Sequence, residues 1–278
     1  MSDSIVIRDL RNLEDIRTVE DLQRKIWGMS DLDILPSTMI LASIEVGGSL
    51  LGAFVDDHLA GFAYSFPGLE NGRLTMHSDM LGVDPAFRNH DLGYKLKLAQ
   101  RDRALKFGID QITWTFDPLQ SLNAYFNIAK LGAVSDKYKP NFYGETSSFL
   151  HRLGTDRLWV RWLIQSGRVK QRLNDKEKNQ DVDALFGNTK PLVEVESDLS
   201  PKTSALAEIS QHSLSIEIPR DINSIIKDNL DLALRWRDAV RWAFTTAFEA
   251  EYVVRDFVRN ERESRQTGVY LLSANDES

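Results

Sequence analysis

Leu81-Gly-Val-Asp-Pro-Ala-Phe-Arg-Asn-His-Asp-Leu-Gly-Tyr94 reads as the end of a strand, a turn, and the start of a helix. Asp84-Pro85 stops the strand, because proline supplies no backbone donor and biases the residue before it away from helix. A helix starting near Gly93 leaves its first N–H groups without intrahelical partners and carries partial positive charge there, so it can hold a phosphate or pyrophosphate. Arg88 places a full positive charge just ahead of it. The plain alternative is an ordinary strand-to-helix connection with an arginine in solvent.

Residues 74–83 form the strand that feeds this turn, and residues 49–55 and 59–66 flank Asp56-Asp57-His58 as a β-hairpin around an acidic turn. Ile5-Val-Ile7 alternates as a short strand, and Leu13, Ile16, Val19, Leu22, Ile26 and Trp27 recur at helical spacing. After the turn, Leu96, Leu98, Ala99, Ala104, Leu105 and Phe107 describe a helix that stops near Gly108. Residues 109–116 follow as a buried strand. A short helix over 121–130 closes on Leu131-Gly132, and two extended pieces cover 134–149 and 156–164. The order predicts an α/β (α+β) fold, with one mixed, mostly antiparallel sheet flanked by helices.

The run from Gln165 to Asp183 is the longest polar stretch, and it reads as a loop or linker because it offers little apolar surface to offset ordering entropy. It divides the chain into a first domain over 1–165, a linker over 166–190, and a smaller α+β domain over 191–278. In that last part, residues 192–195 and 213–218 read as strands. A long helical pattern from Ile222 to Phe248 is interrupted near Asp228-Asn229, and two closing strands cover 252–258 and 269–272.

Composition removes several function classes. The 278 residues hold 34 Lys+Arg against 41 Asp+Glu, a net charge of −7, so a surplus of cations for non-specific nucleic-acid binding is missing. With no cysteine there is no thiolate nucleophile, disulfide frame or Cys-based zinc site. The five histidines, at 58, 77, 90, 151 and 212, show no metal-ligand spacing, and no metal is expected. The acidic N-terminus lacks the basic start and apolar run of a signal peptide, and no apolar stretch is long enough for a bilayer. A cytoplasmic protein without membrane or nucleic-acid partners is the expectation.

Val83-Asp-Pro-Ala-Phe-Arg88 followed by Gly93 resembles the acyl-CoA signature of the GNAT superfamily of N-acyltransferases, which runs Arg or Gln, two residues, Gly, one residue, Gly or Ala. Asn123 and Lys130-Leu-Gly132 resemble that superfamily's second segment. Pro140-Asn-Phe-Tyr-Gly-Glu145 and Thr155-Asp-Arg-Leu158 resemble a bacterial subgroup of predicted acetyltransferases that carries a similar extra C-terminal half. The resemblance covers roughly residues 1–165 in element order. It implies a GNAT-like fold and transfer of an acetyl or other acyl group from acyl-CoA to the amine of a small molecule, with no metal.

The resemblance also implies residue roles. Main-chain amides of Asn89, His90, Asp91, Leu92, Gly93 and Tyr94, with Arg88, would cradle the CoA pyrophosphate. Leu81 and Val83 would hydrogen-bond the pantetheine arm, and Asn123 and Phe126 would border its far side. The amine attacks the thioester directly, so the chemistry needs a base and oxyanion donors but no covalent residue. His77 and Asp79, two apart on the strand and so on one face by alternation, are the candidates for base and orienting group. An ordinary histidine pKa near 6.5 suits that role. The bland alternative is a satisfied core histidine and a strand-end cap.

The sequence departs from the family pattern in two places. Asp91 stands where a glycine is expected, although aspartate tolerates left-handed torsions and serves as a helix N-cap. Ile128 stands where many relatives carry the tyrosine that protonates the departing thiolate, and Tyr125, Tyr138 and Tyr143 are unassigned alternatives. These departures keep open a non-catalytic module that binds CoA or another ligand, or a protein-interaction domain. The four tryptophans 159, 162, 236 and 242 read as packing residues, Arg168, Lys170 and Arg172 as a solvated flank, and a homo-oligomer is left open.

Overall fold

The computed structural model describes residues 4–144, 148, 151–174, 189–204, 213–260 and 267–274. They pack as two units, Met1–Trp114 with Glu145–Arg152, and Thr115–Gly144 with Leu153–Ser278.

In the first unit the order is β1 (Ile5–Asp9), α1 (Leu13–Trp27), α2 (Ser37–Glu45), β2 (Ser49–Val55), β3 (His58–Glu70), β4 (Arg73–Val83), a 3-10 turn (Pro85–His90), α3 (Leu92–Lys106) and the start of β5 (Gln111–Phe116). The strands lie in the order β1-β2-β3-β4-β5, antiparallel except for the parallel β4–β5 pair. The sheet is covered on both faces. Leu50 joins a core with Ile16, Val19, Leu22 and Ile40 of α1 and α2, while its neighbour Leu51 joins Leu92 and Leu96 of α3. This double burial is why β2 is almost continuously apolar.

Local signals explain the boundaries. The Asn12 side chain accepts from the Asp15 amide at 2.7 Å to start α1, and Gly28 ends it at φ 64°. The hairpin turn is Asp56-Asp57, both left-handed, as the acidic turn required. The helix α2 was not foreseen. Its segment has Met39, Ile40, Leu41, Ala42 and Ile44 on nearly every side, so no three-and-four stripe marks it.

The second unit holds α4 (Ser121–Ala124), a π-turn (Tyr125–Lys130), β6 (Val134–Lys139), β7 (Arg157–Leu163), α5 (Gly167–Asn174), β8 (Lys190–Val195), β9 (Pro201–Thr203), β10 (Ser213–Pro219), α6 (Ile222–Asp228), α7 (Leu230–Glu249), β11 (Tyr252–Asn260) and β12 (Thr267–Ala274). Its strands run β7-β6-β11-β12-β10-β8-β9, parallel only between β8 and β10. Trp162 and Trp236 are fully buried there, their indole N–H groups donating to the Leu131 and Leu199 carbonyls at 2.7 and 2.8 Å. The expected interruption of the long helix occurs at Asn229, which leaves helical torsions and caps α7 by accepting from the Leu232 amide. The architecture is the mixed, mostly antiparallel α+β arrangement expected from the sequence.

Several sequence expectations are corrected in this unit. The extended piece over 134–149 ends at Lys139, because Pro140 supplies no donor and Asn141 turns at φ 43°. Part of the polar stretch 165–183 is the helix α5, anchored by buried Val169. Arg168 and Arg172 are not a solvated flank. Arg168 Nε donates to the Gly132 carbonyl, and Arg172 pairs with Asp256 of β11. Residues 175–188, the rest of the expected linker, lie outside the described residues. The β6–β11 pairing places β6 and β7 with the C-terminal strands, so the division between units falls inside β5.

Candidate functional site

Strand β4 builds the site through two irregularities. Tyr64 of β3 is registered with Met80 and Phe66 with His77, so Ser78 and Asp79 together face the single residue Ser65. Two residues against one is a β-bulge, which bends a strand and re-aims its side chains. On its other edge β4 is registered with β5 only at Met76–Ile112 and His77–Thr113. Beyond His77, residues 78–83 have no registered partner on that edge among the described residues. Leu81 and Val83, the expected pantetheine contacts, lie in this stretch and pack toward α3 beside Phe87.

The same strand then delivers the chain into the turn. Asp84 is buried, pairs with Lys25 of α1, and accepts from the Ala86 amide at 3.1 Å. Burial alone would raise its carboxyl, but Lys25 and the Ala86 amide hold it below the usual range. Asp84 therefore fixes the exit from β4 and starts the turn. Arg88 projects into solvent, and His90 Nδ1 lies 3.2 Å from the Phe87 carbonyl.

Asp91 adopts φ 54° and occupies the N-cap position of α3, but its side chain makes no capping hydrogen bond to that helix. The left-handed torsion explains why a glycine is the natural residue there, and aspartate is among the few others that tolerate it. The expected capping hydrogen bond of its carboxylate to α3 is not formed. A methyl on Gly93 would meet only the end of the Leu81 side chain, at 3.6 Å, and Leu92 is buried against the sheet. Arg88, Asn89, His90, Asp91, Leu92, Gly93 and Tyr94 thus form one continuous turn and helix start at the end of β4.

His77 is the last regularly paired residue before the bulge and Asp79 is half of the bulge, so simple alternation does not relate them. His77 Nδ1 lies 3.0 Å from Thr113 Oγ1, and its ring packs against Phe66 at 5.5 Å between centroids. Burial, then the charge of Lys97, push its pKa down to about 4, well below the ordinary value assumed from sequence. His77 is therefore uncharged at neutral pH. Asp79 is the more exposed of the two, and partial desolvation raises its carboxyl.

A polar cluster next to this pair was missed in the sequence. Lys97 and Gln100 of α3 are 2% and 1% exposed. Lys97 Nζ donates to Ser78 Oγ at 2.8 Å and stands 3.8 Å above the Trp114 ring of β5, while Ser78 Oγ donates to Gln100 Oε1 at 3.0 Å. Burial pushes the Lys97 pKa down to about 7. The available signal was spacing: Leu92, Leu96, Lys97, Gln100 and Ala104 form the buried stripe of α3, whereas the apolar Phe107 is exposed. Reading only apolar residues hid that face.

The remaining candidates belong to the second unit. Asn123 is exposed on α4, Phe126 is half-buried in the π-turn, and Ile128 is fully buried. Arg259 stacks over the Tyr125 ring at 4.1 Å, Tyr138 donates to Asp156 at 2.6 Å, and Tyr143 Oη lies 3.1 Å from Thr115 Oγ1. Among the described residues no group of three His, Asp or Glu side chains is arranged to hold a metal ion, and no helix is long and apolar enough to cross a membrane.

No family model and no curated protein matches the chain. Solved structures similar to it include a GNAT family acetyltransferase from Elizabethkingia anophelis with acetyl-CoA bound, at 18% identity and TM-score 0.45, covering 58% of this chain and 99% of that one. Another is the ribosomal-protein-S18-alanine N-acetyltransferase from Escherichia coli, at 14% identity and TM-score 0.46, covering 59% and 96%. A third is Naa50 from Arabidopsis thaliana in complex with a bisubstrate analogue, at 16% identity and TM-score 0.45, covering 57% and 97%.

Proposed function

We propose that the chain is an acyl-CoA-dependent N-acyltransferase that moves an acetyl or other acyl group to the amine of a small molecule. The observation that carries this reading is the coincidence of two features on one strand. The edge of β4 loses its β5 partner after His77, and the strand ends six residues later in a turn that starts α3 without a side-chain cap. An extended amide-bearing arm fits the first feature as an added strand. A pyrophosphate fits the second, where helix amides and Arg88 supply donors and positive charge. Acyl-CoA carries both groups in one molecule.

In the reaction the acceptor nitrogen attacks the thioester carbonyl. A C–N bond forms, the C–S bond breaks, and the sulfur leaves with the electron pair. Main-chain donors on the free edge of β4 would stabilise the developing oxyanion. Asp79, exposed and with a raised carboxyl pKa, would meet the acceptor ammonium and take its proton, with neutral His77 beside the bulge as the second proton acceptor.

The test uses two substitutions that should move affinity in opposite directions. Gly93→Ala meets only an ordinary contact and gains up to about 1 kcal/mol of helix propensity, so the fold should be unharmed. On this reading its methyl would crowd a pyrophosphate held by the first-turn amides, and CoA affinity should fall about tenfold or more. Asp91→Gly relieves a left-handed aspartate and removes a negative charge from the same turn, so stability should rise by about 0.5–1 kcal/mol and CoA affinity by several-fold. Isothermal titration and thermal melts measure both. Failure of the wild-type protein to bind millimolar CoA overturns the reading. Binding without turnover across a panel of amines removes the catalysis and leaves the cofactor site.

A further inference from the structure

Among the described residues no carboxylate forms an ion pair with the buried amine of Lys97. The elements packed on α3 bring other charged or titratable groups, each placed elsewhere: on the 3-10 turn Arg88 is exposed and His90 Nδ1 lies 3.2 Å from the Phe87 carbonyl, and on β1 Arg8 pairs with Asp15. Strand β4 brings His77 and Asp79, neither within ion-pair distance, and β2 carries no charged side chain. On β1, Asp9 is taken by Arg103 in a bidentate pair at 2.6 and 3.0 Å. The charged ends of β3 are His58, which stacks on Phe87, and Glu70, which accepts from Gln111 Nε2. Within the first unit, β5 presents only Gln111, Ile112, Thr113 and Trp114. The next buried polar group along α3, Gln100, leaves its Nε2 without a hydrogen-bond partner. Such a cluster costs stability, because an unpaired buried charge and an unmade hydrogen bond each carry a desolvation penalty.

The position of this cluster suggests what it is for. His77–Thr113 is the last registered pair between β4 and β5. The residues immediately after it, Ser78 and Trp114, are the two that Lys97 touches, one through a hydrogen bond and the other through its ring face. Ser78 is also half of the bulge. The ammonium therefore ties the bulge of β4 to β5 at the point where the strands part.

We propose that Lys97 is a positioning residue for the acyl-CoA site: its ammonium, held by Ser78 and Trp114, fixes the bulged edge of β4 just beyond its last pair with β5, the edge along which the pantetheine arm would add as a strand. This inference rests on the acyltransferase reading. A protonated Lys97 makes both contacts, whereas the neutral amine keeps the hydrogen bond and loses the attraction to the ring. A bound polyanion nearby favours the protonated form as well. Cofactor affinity is then highest when Lys97 is charged and falls as it deprotonates.

The experiment is isothermal titration of acetyl-CoA into the full chain between pH 6.5 and pH 8.5, for the wild type, Lys97→Met and Ser78→Ala, with a thermal melt of each. Wild-type affinity should fall about tenfold across that range, while the affinity of Lys97→Met stays nearly constant. Lys97→Met should bind about tenfold more weakly than wild type at pH 6.5 while melting no lower. Ser78→Ala, which keeps the lysine and cuts its anchor, should weaken binding in the same direction and covers the case in which Lys97→Met fails to fold. Parallel pH profiles for folded wild type and Lys97→Met, or a Ser78→Ala affinity equal to that of wild type, overturn the inference and leave the acyltransferase reading standing. A wild type that binds no acetyl-CoA overturns both.

Discussion

Asp156→Ala is expected to destabilise the second unit by about 2–3 kcal/mol, because a buried carboxylate that gathers four hydrogen bonds is lost while its partner Arg241 is left 41% exposed and can be resolvated. The Asp156 carboxylate is completely buried and accepts four hydrogen bonds: from Arg241 Nε at 2.7 Å and Nη2 at 2.8 Å, from Tyr138 Oη at 2.6 Å, and from the Asn141 amide at 2.8 Å. Burial would raise this carboxyl, but Arg241, Tyr138 and the Asn141 amide hold it below the usual range. Alanine leaves the Tyr138 hydroxyl and the Asn141 amide without this acceptor, and because Tyr138 is half-buried and Asn141 exposed each loss costs about 1 kcal/mol. Because the folded-state pKa is depressed, this stabilisation is present above the ordinary carboxylate pKa and disappears as pH falls through the folded value. Urea denaturation followed by tryptophan fluorescence measures the loss. A variant within about 1 kcal/mol of wild type would show that Arg241 and Tyr138 find other partners.

The same carboxylate explains two segments that drew attention in the sequence. Thr155 Oγ1 accepts from the Tyr143 amide at 3.1 Å and donates to Asn141 Oδ1 at 3.0 Å. Residues 140–144 are thus strapped onto residues 155–156. The two segments form one clasp, built from buried polar groups that satisfy each other.

Lys97→Met should stabilise the protein at acidic and neutral pH, which is the opposite of what losing a buried hydrogen bond usually does. In the unfolded chain the lysine keeps its ordinary pKa of 10.5, and in the fold it lies at about 7. At about 1.4 kcal/mol per pH unit the gap corresponds to an upper bound of about 5 kcal/mol. The sign follows from proton counting. Below pH 7 both states hold the proton and the full penalty applies. Between pH 7 and 10.5 the unfolded state holds more protons, so wild-type stability rises with pH, and above 10.5 the penalty is gone. The bond to Ser78 and the contact with Trp114 offset part of it, which leaves a gain for methionine of about 2–4 kcal/mol at pH 6. Chemical denaturation at pH 6 and pH 10 should show that gain closing at the higher pH. A difference that stays constant with pH would mean that the lysine remains charged in the fold. A substitution that strengthens the fold and weakens cofactor binding is the pattern of a functional residue kept at a cost in stability.

Much of the route to the site was legible along the chain. Asp84-Pro85, the apolar positions of β4 and the glycine of α3 are local signals, because strand period, proline and helix starts act over a few neighbouring residues. The acidic hairpin turn and the break at Asn229 were legible for the same reason. The helices α2 and α5 escaped. In α2 apolar residues surround the axis, and α5 is a polar segment whose few anchors are Val169 and the paired Arg168 and Arg172. The candidate pair was half legible. His77 and Asp79 could be placed on β4, but the bulge that includes Asp79 appears only in the register with β3.

Local sequence carried the strand–turn–helix segment from Leu81 to Tyr94 and the mostly antiparallel sheet. Only the tertiary structure decided that a lysine would face the core, that a histidine beside it would lose its proton far below neutral pH, and that β4 and β5 would separate after one particular pair. Backbone torsion and periodicity are properties of adjacent residues. The charge state of a side chain depends on how much water is removed by strands and helices distant in the chain, and one-dimensional spacing does not encode that enclosure.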